Sequence, residues 1–187
     1  MALRITELKK GTIFRLGDEV YRVVDYAQKV IGRGGSIVNV RIKNVFDGRV
    51  QERSFKGNEQ LEKADVTRRD VQYLYSDGTD CHFMDNDSYE QFSLPVADLD
   101  VKTGFMKNGG LVTAQLLDGR LINVELPKNM PLQITYTEDV VKGDTSNAIT
   151  KNATLETGAI VKVPAFIKQG DIISVDTTTG AYRGRST

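Results

Sequence analysis

Hydrophobic and polar positions alternate along much of the chain with a period of two. In Ile37–Lys43, Val38, Val40 and Ile42 fall on one side, and Asn39, Arg41 and Lys43 on the other. That is the pattern of a half-buried strand. Ile122, Val124 and Leu126 alternate with Asn123 and Glu125 in the same way. The runs Val20–Val24, Val71–Tyr75 and Ile160–Val163 are rich in β-branched and aromatic residues, which suit a pleated surface. Dipeptides that tolerate positive φ punctuate these runs: Asp47-Gly48, Asp77-Gly78 and Asp118-Gly119, with Gly17-Asp18 and Thr179-Gly180 similar. Helical stripes are missing, and Thr6–Lys10 offers at most one capped turn before Gly11. The pattern predicts an all-β chain of short strands at barrel-like spacing.

The chain has 187 residues, enough for one large domain or two to three small ones. Provisional boundaries at 65/66 and 130/131 give modules 1–65, 66–130 and 131–187, each able to close one small barrel with a marginal core. No internal repeat is evident. Lys+Arg and Asp+Glu both number 25, which argues against a generally basic nucleic-acid coat. The balance hides a dipole: residues 1–65 hold 13 basic and 9 acidic groups, 66–130 hold 6 and 10, and 131–187 hold 6 and 6. The lack of a long apolar run predicts no membrane span, and the missing apolar h-region and the early acid Glu7 predict no secretory signal. One cysteine, Cys81, and one histidine, His82, exclude an internal disulfide and multi-cysteine or multi-histidine metal sites. A cytoplasmic, soluble protein without metal or cofactor is expected.

Neighbouring residues on a strand face opposite ways, so Cys81 and His82 are expected to diverge, with Cys81 in the core and His82 at the surface. Asp85-Asn86-Asp87 starts like a calcium loop but lacks its glycine and closing glutamate spacing, so a hairpin turn is expected. Arg68-Arg69 reads as a solvated or ion-paired face. No nucleophile–base set supports an enzyme.

The segment Lys29-Val30-Ile31-Gly32-Arg33-Gly34-Gly35-Ser36 surrounds one arginine with three glycines, between two predicted strands. Its glycine spacing fits neither a P-loop nor a dinucleotide fingerprint. Glycine allows close backbone approach to a partner, and a guanidinium offers five donors to phosphate. From Tyr26 to Phe46 there are four basic residues, Lys29, Arg33, Arg41 and Lys43, and no acid. On the residues alone this is either a solvated hairpin loop or a nucleic-acid-contacting tip.

Longer stretches resemble bacterial translation elongation factor P. They are Val66–Tyr75, Asp77-Gly78-Thr79-Asp80, Phe83-Met84-Asp85 and Tyr89-Glu90-Gln91 in the middle. Toward the C-terminus they are Tyr136-Thr137-Glu138, Val141–Thr145, Ala153–Pro164, Gly170-Asp171 and Asp176–Tyr182. Arg41-Ile42-Lys43-Asn44 matches the strand after the tip loop. The resemblance runs through essentially the whole chain in order.

It implies an SH3-like (KOW-type) barrel followed by two OB folds, in an L-shaped, tRNA-like arrangement. It further implies a monomer that catalyses nothing itself and binds both ribosomal subunits between the P and E sites. There it would contact peptidyl-tRNA and stimulate bond formation at consecutive prolines. Arg33 would be the tip residue at the peptidyl-transferase centre and a candidate modification site for a rhamnosyl-type enzyme, with Gly32, Gly34 and Gly35 forming the tip loop. Lys29, Arg41, Lys43, Tyr182 and Arg185 would contact tRNA or rRNA, and Gly143, Asp144 and Thr145 would face the small subunit and mRNA. The alternatives are the elongation-factor-P-like paralogue and a generic OB/SH3-type RNA-binding protein.

Overall fold

The computed structural model describes residues 2–32, 35–57, 59–99, 101–138 and 150–186, the side chains of 27–32, 35 and 36 excepted. These residues form three sheets and no α-helix, so the all-β expectation holds. The chain divides into two compact units, Met1–Thr67 with Leu116–Ile122, and Arg68–Gln115 with Asn123–Thr187.

In the first unit, β1 (Ala2–Arg4), β2 (Ile13–Leu16), β3 (Glu19–Gly32), β4 (Gly35–Asn44), β5 (Val50–Lys56) and β6 (Gln60–Lys63) build one sheet, ordered β1-β6-β2-β3-β4-β5. The alternation read from sequence is realised in β4: Val38, Val40 and Ile42 are fully buried while Arg41 is exposed. They pack around Phe14 and Phe55, whose rings meet edge-to-face at 5.8 Å. A one-turn 3-10 helix spans Ile5–Glu7, one residue earlier than the predicted turn. Burial of both Ile5 and Leu8 sets that start, and the Glu7 carboxylate accepts the Arg4 N–H at 2.9 Å. A second cluster joins Ile13, Val20 and Ala64 to Leu117 and Ile122. The tip between those last two has Asp118 at φ 50 and Gly119 at φ 78, the paired left-handed turn that Asp-Gly predicts.

Two five-stranded sheets complete the fold; the second unit holds them except for Thr67 and the Leu116–Ile122 hairpin end, which belong to the first. One is ordered β11-β10-β7-β8-β9, from β7 (Thr67–Ser76), β8 (Asp80–Asp85), β9 (Gln91–Pro95), β10 (Leu111–Leu117) and β11 (Arg120–Glu125). The other is ordered β14-β13-β12-β15-β16, from β12 (Asn129–Thr137), β13 (Thr150–Leu155), β14 (Ile160–Pro164), β15 (Ile172–Asp176) and β16 (Tyr182–Arg185). Asn123 departs from the expected polar face. It is buried and donates to Gln115 at 3.2 Å; Gln115 donates to Glu125 at 2.6 Å, and Glu125 also receives Arg68 at 3.4 Å. The neighbour across the hairpin satisfies the Asn123 amide nitrogen, while its buried Oδ1 has no hydrogen-bond partner among the described residues.

Three turns among the described residues share one device. Asn44 Oδ1 accepts the N–H of Phe46 and Asp47, Asp85 Oδ1 that of Asp87 and Ser88, and Asp176 Oδ1 that of Thr178 and Thr179. In each, the N–H four residues on donates to the first residue's carbonyl: Gly48 at 3.1 Å, Tyr89 at 2.9 Å and Gly180 at 2.7 Å. The fifth residue is left-handed in all three, at φ 73, 58 and 80. Asp85-Asn86-Asp87 is thus a hairpin turn, as expected. Tyr89 occupies a place its two counterparts give to glycine, and it is 72% exposed. Tyr89→Gly should therefore stabilise the fold by roughly 0.5 kcal/mol, the relief of left-handed strain less the entropy of glycine. Gly180→Ala should cost about 1–2 kcal/mol through that strain alone. It should cost more because its Cβ would sit 3.2 Å from Phe105 Cζ. Urea midpoints of the two variants should move in opposite directions.

The aspartates at two of these turns, with Asp77 in the β7–β8 turn, also predict an acid response. The Asp80 N–H, the His82 ring and the Thr79 N–H hold the Asp77 pKa down to about 2. The Ser88 and Asp87 N–H groups lower that of Asp85, and Arg183 with the Thr179 N–H lowers that of Asp176. Unfolded aspartate titrates near ~3.9, so between that value and the folded one the unfolded chain binds more protons. The contribution is complete above the unfolded value and is lost as pH falls through the folded one. Melting temperature should fall steadily below about pH 4, and Asp77→Asn should flatten that slope. An unchanged slope in this variant would contradict the assignment.

Candidate nucleic-acid interface

The β3–β4 hairpin positions the candidate tip. Its ladder begins at Tyr21–Asn44, passes through the core where Val23 pairs with Ile42, and has Gly32 with Gly35 as its last rung. Seven residue steps of β4, from Ile42 to Gly35, separate the core rung from the last, a reach of roughly 23 Å at the usual strand rise. Register shifts at Val23/Asp25 and Tyr26/Gln28 bend and twist the hairpin along the way. Strand β5 accompanies β4 only as far as Ile37–Lys56, so the final rungs, Ile31–Ser36 and Gly32–Gly35, are two-stranded. Arg33 and Gly34 lie outside the described residues, as does the side chain of Lys29, whose backbone pairs with Val38.

Arg41 and Lys43 project from β4 opposite the buried Val40 and Ile42; Arg41 is exposed and Lys43 half-buried. The acid-free span does not stay acid-free in space. Asp25 and Glu52 stand directly across from Arg41 on its two neighbouring strands, and residues so paired share a face.

Tyr182 and Arg185 lie on β16. Three residues apart on a regular strand, they would point to opposite sides. A register shift brings them together: Tyr182 pairs with Val175 and Arg185 with Ile173, which share one face. Tyr182 is half-buried against the core of that sheet. Arg185 reaches Asp171 at 3.2 Å and lies over the exposed Phe166 ring at 5.4 Å. Phe166 escaped the sequence reading because nothing local links it to a residue nineteen positions later. Gly143, Asp144 and Thr145 lie outside the described residues.

The remaining sequence candidates are accounted for by packing. Cys81 is fully buried, and burial pushes its thiol pKa up. His82 faces the other way, 3.0 Å from Asp77 and stacked on Tyr75 at 4.6 Å. Arg68 pairs with Glu125 at 3.4 Å, and Arg69 with Asp85 at 3.5 Å. Among the described residues no cluster of three His, Cys, Asp or Glu could hold a metal, and no helix is long and apolar enough to cross a membrane.

Comparison with known proteins matches three family models in chain order. They are the elongation factor P KOW-like domain over residues 4–61, its OB domain over 66–124, and its C-terminal domain over 130–185. Elongation factor P of Clostridium kluyveri is 40% identical over 179 residues, covering 96% of this chain and 97% of that one. That of Clavibacter michiganensis is 40% identical over 181 residues, 97% of both chains. That of Paenarthrobacter aurescens is 38% identical over 179 residues, 96% of both. The sheets are those of KOW-like and OB folds, as the sequence resemblance implied. By full-length identity and by all three domain models, the chain belongs to the elongation factor P family of translation elongation factors.

Proposed function

We propose that this chain binds the ribosome between the P and E sites, contacts the peptidyl-tRNA, and speeds peptide-bond formation at consecutive prolines. The observation that carries the reading is the long β3–β4 hairpin, whose paired backbone ends on two glycines with residues 33 and 34 between them. Such a hairpin is suited to carrying one cationic residue away from the body of its sheet. Proline resists transfer because its fixed φ and secondary amine restrict attack geometry. A factor that holds the tRNA end in register removes part of the entropic barrier, and no side chain of its own need act as acid or base.

In this reading residues 1–65, 66–130 and 131–187 act as three modules. Arg33 is the tip residue, framed by Gly32, Gly34 and Gly35 and open to a sugar-transferring modification. Lys29, Arg41 and Lys43 contact the tRNA backbone by charge-assisted hydrogen bonds. Tyr182 and Arg185, brought to one face by the β16 register shift, contact RNA through a ring and a guanidinium. Gly143, Asp144 and Thr145 face the small subunit.

The test is reconstituted translation of a reporter with three consecutive prolines and a matched reporter without them, with and without protein from its native host. Selective acceleration of the proline reporter is expected. Equal effects on both reporters, or none, would overturn the proline reading and favour a paralogue or a general RNA-binding protein.

A further inference from the structure

A pocket of about 560 Å³ opens in the second unit, of the size that small-molecule sites occupy. Phe105, Ile160 and Tyr182 are among its lining residues, and Lys102 and Lys162 bring two cations. Among the described residues no carboxylate lines it. Neither lysine has a carboxylate partner among them; the Lys102 ammonium lies 5.9 Å from the Phe105 ring centroid. Ile160 is 68% exposed, an apolar surface left for something to cover. Gly180 lets the β15–β16 turn close onto this floor: a Cβ there would stand 3.2 Å from Phe105 Cζ and 3.7 Å from Lys102 Nζ.

The lining selects a class of ligand. A simple anion would have no use for an apolar floor, and an apolar ligand would have no use for two unpaired cations. A planar ring joined to a phosphate matches both, because aromatic side chains accept the faces of bases while lysines act as point charges for phosphate. We propose that this pocket binds a nucleoside monophosphate unit, its base on Phe105, Ile160 and Tyr182 and its phosphate between Lys102 and Lys162. The unit is either a free nucleotide or one residue of a single-stranded RNA. The proposal shares Tyr182 with the RNA contact proposed above and in that part rests on it, but its test uses no ribosome and can fail while the proline reading stands.

The full chain, labelled with nitrogen-15, is titrated with adenosine monophosphate, a short oligoadenylate RNA, adenosine and inorganic phosphate. Saturable shifts are expected at the amides of Lys102, Gly180 and Tyr182. Saturation by the monophosphate identifies a free-nucleotide site; saturation by the RNA and not the monophosphate identifies one residue of a strand. Lys102→Met with Lys162→Met should weaken that binding at least about tenfold, as loss of two charge-assisted contacts requires. Lys162→Met alone, on an exposed strand position, should give an intermediate loss with an unchanged melting temperature. Inorganic phosphate binding as well as the monophosphate would overturn the base contact, and adenosine doing so would overturn the phosphate contact. Undiminished affinity in the folded double variant, or no saturable shift with either the monophosphate or the RNA, would overturn the proposal entirely.

Discussion

Arg33→Ala is expected to slow synthesis through three consecutive prolines at least about tenfold relative to wild type, about 1.4 kcal/mol of lost barrier lowering, while leaving the proline-free reporter unchanged. The physical ground is the length of the β3–β4 ladder, which runs roughly 23 Å from the Val23–Ile42 rung to the Gly32–Gly35 rung. The described core of the first unit is built from Phe14, Val38, Val40, Ile42 and Phe55, among others, so the melting temperature should not move. Arg33→Lys separates charge from shape, since lysine keeps the cation and loses the planar five-donor fork. Full activity of Arg33→Ala on the proline reporter would leave the family assignment standing and end the role given to the tip.

Phe14→Ala is expected to be the most damaging single change in the first unit, at about 3–5 kcal/mol. Phe14 is fully buried on β2, a central strand of its sheet, with Phe55 at 5.8 Å edge-to-face and Tyr21 at 6.2 Å. Small domains have only about 5–15 kcal/mol of total stability, so a loss of that size is a large share of it. Chemical denaturation of the full chain should show the transition of this unit moving to much lower urea. A loss below about 1 kcal/mol would mean that the ring packing at Phe14 contributes far less than its burial implies.

The two variants probe links of very different legibility. The core around Phe14 follows from alternation: Val38, Val40 and Ile42 are buried because a pleated strand turns every second side chain to one side. Asp118-Gly119 forms its expected turn because both residues tolerate positive φ within four residues of chain. By contrast, the turns at Asn44, Asp85 and Asp176 repeat one hydrogen-bond pattern under dissimilar letters, Asn-Val-Phe-Asp-Gly, Asp-Asn-Asp-Ser-Tyr and Asp-Thr-Thr-Thr-Gly. The donors are backbone N–H groups that any residue supplies, so only the first side chain and the fifth φ are constrained. No inspection for internal repeats would find them.

The positive span from Tyr26 to Phe46 shows the same limit. It is free of acids along the chain, yet Asp25 and Glu52 flank Arg41 once the strands pair. Tyr182 and Arg185 share a face only because the β15–β16 pairing slips by one residue. The pocket gathers Lys102 and Phe105 with residues between Thr150 and Tyr182, a grouping without any signature in spacing.

Strand content, turn positions and family membership are written in the chain itself, because side-chain alternation, turn chemistry and motif order act over a few neighbouring residues. Strand register, bulges, and the cations and aromatics gathered around one cavity arise only on folding. They depend on pairings between distant segments, whose free energy no local window of sequence contains.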